Sequence, residues 1–320
     1  MSSLLKRKVG SCCYSQPAPC ADQRCPLCGG EKISVFSSAQ GGTLDAGALG
    51  SSRTHVAHGR ILQCCACDFV FSELRPADED LHTLYRDMDP GVYEQEADNR
   101  KKTAERHLRI VETYAAKGKV IDVGCASGAF LNAAADAGWQ VTGVEPASVL
   151  CAKAKALLSG RGEVFCATLK QAMLQQAALP KESFDALTLW DVLEHVTEPV
   201  SFLRDCAALL KPGGHLFVNV PDVRSWPARL LGERWPLFLA EHLNYFDRAT
   251  LNRCASDAGL EWVAYGRRPA SFSLEYIFYR LAQHGIPGSG LAHRLVRASF
   301  LRSISLPVPL GETWGVWRRS

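Results

Sequence analysis

The sequence predicts an α/β protein: a doubly wound, Rossmann-like, mostly parallel sheet preceded by a small N-terminal zinc-ribbon module. Three observations carry this reading. Strand-like apolar runs alternate with helix-like stretches from residue 119 to 221, a glycine turn closes the first of those strands, and two CxxC pairs stand upstream. Strands separated by crossovers of ten or more residues pair in parallel and need helices on both faces.

Composition sets the outer limits. A chain of 320 residues can bury one large core with a smaller unit attached. With 47% hydrophobic and 22% charged residues it reads as globular. A net charge of +3 is too small to argue by itself for a nucleic-acid partner. No apolar stretch reaches the roughly eighteen residues of a membrane span. The start, "MSSLLKRKVGSCCYS", has charge but no apolar segment after it, so it does not read as a secretory signal. The thirteen cysteines then read as reduced thiols and metal ligands, not a disulfide scaffold, in a cytoplasmic setting.

In chain order, residues 1–22 read as a flexible tail and 23–75 as the zinc-ribbon-like module, interrupted by a Gly/Ser/Ala-rich loop. Residues 76–116 form a helical linker, with Ala104, Leu108, Val111 and Ala115 at helical intervals. The main α/β unit spans 117–268. Its strands are KVIDVG, WQVTGVE, EVFCAT, FDALTLWDVL and HLFVNVP, with "KPGG" as the turn before the last, and 221–246 forms an insertion. Residues 269–320 are a C-terminal extension, basic and apolar, expected to pack as a helix and an edge strand; a membrane surface is the other reading.

The cysteine pairs are Cys25 with Cys28 and Cys64 with Cys67, 35 residues apart. A CxxC turn points two thiolates at one ion, and two such turns complete a closed tetrahedron, so the expected Zn2+ is structural. Cys12, Cys13, Cys20 and Cys65 are left over. The stretch "ILQCCACDFVFSEL" carries no basic cluster, which disfavours nucleic acid.

The turn "DVGCASG" places Gly124, Cys125 and Gly128 at a helix start on the carboxyl edge of the sheet, where doubly wound folds bind ligands. Glu145 ends the next strand 23 residues after Asp122, at the distance of a ribose-binding acid. A carboxylate at Asp122 repels pyrophosphate but tolerates an ammonium and a sulfonium.

With "VIDVGCASG", "VTGVEP", "FDALTLWDVLEHV" and "LLKPGGHLFVNVP" in this order, the chain resembles the class I S-adenosylmethionine-dependent methyltransferases over residues 100–265. The resemblance implies that Gly124, Cys125 and Gly128 line the methionine and ribose side. Glu145 would take the ribose hydroxyls, Asp122 would reach the methionine amino group, and Trp190 and Asp191 would lie near S-adenosyl-L-methionine. The acid that often meets adenine after the third strand is replaced by Ala167 and Thr168. The segment "ERWPLFLAEHLNYF", together with the CxxC module, is similar to a bacterial type 11/23-like group acting on cell-surface sugars or small metabolites.

Transfer to a hydroxyl benefits from a base. His242 and His195 are the candidates, each also readable as a loop anchor. Glu241, Asn244 and Tyr245 would shape the pocket, with Trp226, Trp235 and Phe238 as a wall or as core. The leading expectation is O-methylation of a small-molecule or saccharide acceptor, including a lipid-linked one. The alternatives are N- or C-methylation and a non-catalytic binding platform.

Overall fold

In a computed structural model of the chain, the described residues are 23–38, 58–75, 97–174, 179–283 and 287–320. The expected tail 1–22, most of the glycine-rich loop and residues 76–96 of the linker lie outside them.

The main sheet opens with β4 (Lys119–Val123), β5 (Gln140–Val144), β6 (Gly162–Phe165), β7 (Phe184–Trp190) and β8 (Leu210–Pro221). These five are parallel, and the strand order β10-β11-β8-β7-β4-β5-β6 is completed by β10 (Leu260–Ser273) and β11 (Ser305–Arg319), both antiparallel. Helices α1 (Ala97–Tyr114), α2 (Ala129–Asp136), α3 (Ser148–Leu158), α4 (Leu169–Leu174) and α5 (Pro199–Leu209) connect or cover the strands. They exist because their apolar residues recur at three- and four-residue spacing. In α1 this buries Ala104, Leu108 and Val111.

The second half adds α6 (Trp226–Leu231), α7 (Arg248–Asp257), α8 (Leu274–Gln283) and α9 (Ser289–Arg297). Helix α7 starts on a capping box in which Asp247 accepts from the Thr250 amide and the Thr250 side chain faces back to the Asp247 amide.

Four readings are corrected. The "KPGG" stretch lies within β8: Phe184 pairs with Leu210 but Ala186 with His215, so residues 211–214 form an excursion of the strand. The C-terminal strand is not at an edge, since β11 lies between β8 and β10. The cysteines are not all reduced, because Cys151 on α3 and Cys166 after β6 form a disulfide across a Cα separation of 5.6 Å. That bridge joins a helix to a strand end, and no sequence spacing announces it.

The fourth concerns the N-terminal module. It contributes β1 (Ile33–Ser37), β2 (Ile61–Cys64) and β3 (Val70–Ser72), but its sheet is completed by β9 (Asn244–Tyr245) from the 221–246 insertion. Val70 pairs with Tyr245 and Phe71 with Asn244. Leu62, Phe69 and Phe71 share one core with Ile121, Leu187, Val218 and Phe246. The module is thus welded to the insertion and not merely appended.

Candidate active site

The glycine turn is built by local bonding. The amides of Gly124 and Cys125 both donate to the Val144 carbonyl, and that of Gly128 donates to the Cys125 carbonyl. Gly124, Ala126 and Gly128 have φ of 77°, 47° and 82°. A Cβ on Gly128 would stand 3.0 Å from the Ala154 backbone, so this glycine lets α2 approach α3. Because these amides are already used, the turn is not an open phosphate cradle, in keeping with the acid at its start.

Glu145 spans the turn. Its carboxylate accepts from the Ala126 and Ala147 amides, each at 2.8 Å, and is 6% exposed. Burial raises its pKa, partly offset by those two amides. Each oxygen keeps lone-pair capacity for a ribose hydroxyl. Asp122 is buried and accepts from the Thr188 hydroxyl at 2.6 Å; burial pushes its carboxyl up to about 7 against that bond. The Cys125 thiol packs in the core beside Gly143, so only its backbone belongs to the turn, and burial holds it protonated.

Across from the turn, Asp191 follows β7 with φ of 58° and accepts from the side-chain amide of Asn219. A non-glycine residue in that conformation stores strain of the kind found at functional edges. Trp190 stacks on His107 of α1, centroids 3.7 Å apart and planes 5° apart, with Phe130 edge-on at 5.6 Å. The Trp190 indole N–H is buried without a partner. A bound ligand that accepts a hydrogen bond would relieve this cost. His107 was not singled out from sequence, although its place between Ala104 and Val111 puts it on the inward stripe of α1. The Thr168 hydroxyl accepts from the Gln171 amide, capping the start of α4.

The two histidines are brought together. His195 sits on a single 3-10 turn, Leu193–His195, after β7, and His242 lies in the insertion. Their ring centroids are 4.8 Å apart at 78°. His195 Nδ1 bonds the Glu241 carbonyl and His242 Nδ1 the Leu237 carbonyl, both at 2.9 Å, which assigns those N–H groups and leaves Nε2 as the basic atom of each ring. Burial pulls His195 down to about 4, and burial with the neighbouring His195 pulls His242 well below the ordinary range. Both are neutral at pH 7. The donor atoms of Glu194, His195 and His242 lie within 4.8 Å of one another, donor chemistry suited to a cation as well as to proton transfer. Burial, with Asp191 next, keeps Glu194 protonated.

Backbone and side-chain bonds lock this arrangement to the N-terminal module. The Leu243 amide donates to Glu194 O at 2.7 Å, and the Ser72 amide donates to Leu243 O at 2.9 Å. Asn244 donates to the carbonyls of Leu193 and Val196, and the Tyr245 hydroxyl to that of Leu239. Arg75, just past β3, donates to the carbonyls of Leu243 and Thr197 and to the Asn244 side chain. These residues hold the loops more than they line a pocket. Trp235 and Phe238 are core, while Trp226 is 57% exposed. Trp226 borders a cavity of about 200 Å³ with Asp222, Ser225, Arg267 and Glu312, just beyond the end of β8.

The four module cysteines converge. Cys25 and Cys67 have sulfurs 3.6 Å apart, as do Cys28 and Cys64. Tetrahedral Zn–S bonds of about 2.3 Å place sulfurs about 3.8 Å apart, so the set fits Zn2+. The two knuckles match: the residue after each second cysteine, Gly29 or Asp68, has a left-handed φ of 71° or 61°. A Cβ on Gly30 would crowd the Cys28 and Cys64 sulfurs at 3.2 Å.

A family model described as a methyltransferase domain matches residues 95–265, more than half of the chain. The ubiquinone biosynthesis O-methyltransferase of Idiomarina loihiensis is 36% identical over 156 residues, covering 46% of this chain and 63% of that protein. The chain therefore spans less than two thirds of that relative's length. The protein of the same name from Thiobacillus denitrificans is 34% identical over 163 residues, covering 48% and 70%. The crystal structure of the PH0226 protein from Pyrococcus horikoshii is 16% identical with a TM-score of 0.48, covering 74% of this chain and 98% of that one. No helix among the described residues is long and apolar enough to cross a membrane. On the extent of the family match and the identity to the Thiobacillus protein, this chain belongs to the methyltransferase-domain family, of the class I S-adenosylmethionine-dependent type.

Proposed function

We propose that the protein transfers a methyl group from S-adenosyl-L-methionine to an oxygen of a small-molecule acceptor. The observation that carries this reading is the neutral pair His195–His242, whose loops are held at the same sheet edge as the Gly124–Gly128 turn, Glu145 and Asp191. When bound, S-adenosyl-L-methionine supplies a sulfonium methyl for in-line displacement. Gly124, Cys125 and Gly128 shape its seat through the backbone, Glu145 receives the ribose hydroxyls, and Trp190 donates its unpartnered N–H. Asp122 and Asp191 favour the positive charge. His242 Nε2, with His195 beside it, takes the proton of the acceptor hydroxyl as its oxygen is alkylated.

The cavity beside Trp226 is the proposed acceptor pocket, an aromatic wall with carboxylates and Arg267 suited to a hydroxylated molecule or saccharide. The relatives' name supports oxygen as the acceptor atom. Cys25, Cys28, Cys64 and Cys67 would hold a structural Zn2+. A second reading, transfer to nitrogen, draws on the carboxyls of Asp191, Glu241 and Glu312 around Glu194, which would favour an amine.

Calorimetry of the zinc-loaded protein with S-adenosyl-L-methionine is the first test, and absence of binding would sink the proposal. Labelled cofactor incubated with metabolite and glycan fractions, followed by mass spectrometry, then distinguishes ether from amine products.

A further inference from the structure

We propose that the helical hairpin carried between β10 and β11 is a docking surface for an anionic membrane. Docking itself does not depend on the methyl-transfer reading. Helix α9 buries Ser289 and Val296 on its inward face. One turn apart on the opposite face, Leu291 and Leu295 are 66% and 63% exposed, where a solvated helix would carry polar residues. Phe300, at 83%, follows directly, and Leu281, Ile304 and Leu306 are exposed in the same segment. A lone exposed leucine needs no explanation, but six large apolar side chains between residues 281 and 306 do.

Charge decides what covers them. Residues 269–311 contain four arginines, 280, 294, 297 and 302, against the single acid Glu275. Glu275 itself faces Arg297 at 3.7 Å. The excess in this segment equals the formal +3 of the whole chain. A second copy related by a two-fold axis would bring the same arginines face to face, a like-charge contact that opposes association. An anionic bilayer satisfies both features, with leucines and Phe300 at the acyl boundary and guanidinium groups among the phosphates. The segment also leads into the proposed acceptor pocket. Leu306 and Gly311 are five residues apart on β11, about 17 Å along an extended strand, and Gly311 and Glu312 line the cavity. An amphiphilic acceptor held in the membrane would thus be presented beside it.

The test is co-sedimentation of the full zinc-loaded chain with vesicles of phosphatidylcholine alone or mixed with phosphatidylglycerol. Binding to the mixed vesicles should exceed binding to the neutral ones about tenfold or more and weaken with salt. The combined variant Leu291→Ser, Leu295→Ser, Phe300→Ser should lose binding to both. Arg294→Glu, Arg297→Glu, Arg302→Glu should lose the preference for phosphatidylglycerol. Circular dichroism and thermal unfolding of both variants check that they fold, independently of docking and of cofactor binding. The proposal is overturned if the native chain stays in the supernatant, or if the serine variant still sediments. It is equally overturned if light scattering shows a dimer that the serine variant abolishes while vesicles are ignored.

Discussion

Asp122 is held protonated by burial up to a pH of about 7, with the Thr188 hydroxyl opposing that shift and Glu145 adding to it. The charged form, which attracts an ammonium or sulfonium, therefore populates above that pH. Affinity for S-adenosyl-L-methionine should rise as pH passes upward through 7, and Asp122→Asn should flatten the rise in calorimetry at pH 6 and 8. Glu145→Ala frees the amides of Ala126 and Ala147 and should weaken cofactor binding at least about tenfold, since a charge-assisted bond contributes about 1.5–3 kcal/mol. His242→Ala should leave that affinity unchanged and lower turnover about 10²- to 10⁴-fold. Because burial and its neighbour keep His242 neutral well below the ordinary imidazole range, turnover should persist below pH 6.5. A rate that falls with an apparent pKa near 6.5 would exclude it as base. The same shift has a stability sign. The unfolded imidazoles take up protons that the folded ones refuse, so stability declines as pH drops below about 6.5.

At the scale of elements, the strand pair β3–β9 links the cysteine set to the histidine pair. Zn2+ would fix the knuckles, the knuckles fix β2 and β3, and β3 carries β9 with the adjoining His242. Arg75 crosses the same seam, touching both histidine-bearing loops. Arg75→Ala should lower kcat while cofactor affinity holds. Arg75→Lys should restore little, because one ammonium cannot reproduce a planar fork reaching three acceptors. Chelation of the metal should speed hydrogen exchange at Ser72 and Leu243, whose amides close the seam, before the main sheet is affected. Uniform exchange across both sheets would show that the module does not act through β9.

For the molecule as a whole, the C-terminal strand is interior. Trp317 is 1% exposed and its indole donates to Asn252, while β11 bonds β8 on one side and β10 on the other. Ending the chain at residue 304 would leave two long unpaired edges and an empty Trp317 site. Such a protein should be insoluble, whereas the serine-substituted hairpin should remain folded. A soluble truncated chain that still binds cofactor would refute this placement.

The alternation of apolar runs, the glycine turn and the CxxC pairs determined the parallel sheet, the position of the turn at its carboxyl edge and the cysteine set, because strand period, turn chemistry and metal spacing are local properties. That Glu145 closes the strand next to the turn was legible from its distance along the chain. Tertiary structure alone decided the rest. It engaged the amides of Gly124, Cys125, Ala126 and Gly128 within the protein, buried the Cys125 thiol, stacked His107 on Trp190, joined Cys151 to Cys166 and set β11 inside the sheet. It also brought His195 and His242, 47 residues apart in the chain, to 4.8 Å. Each of these depends on which distant surfaces pack together, and a side chain's partner across a core leaves no trace in the spacing of its own neighbours.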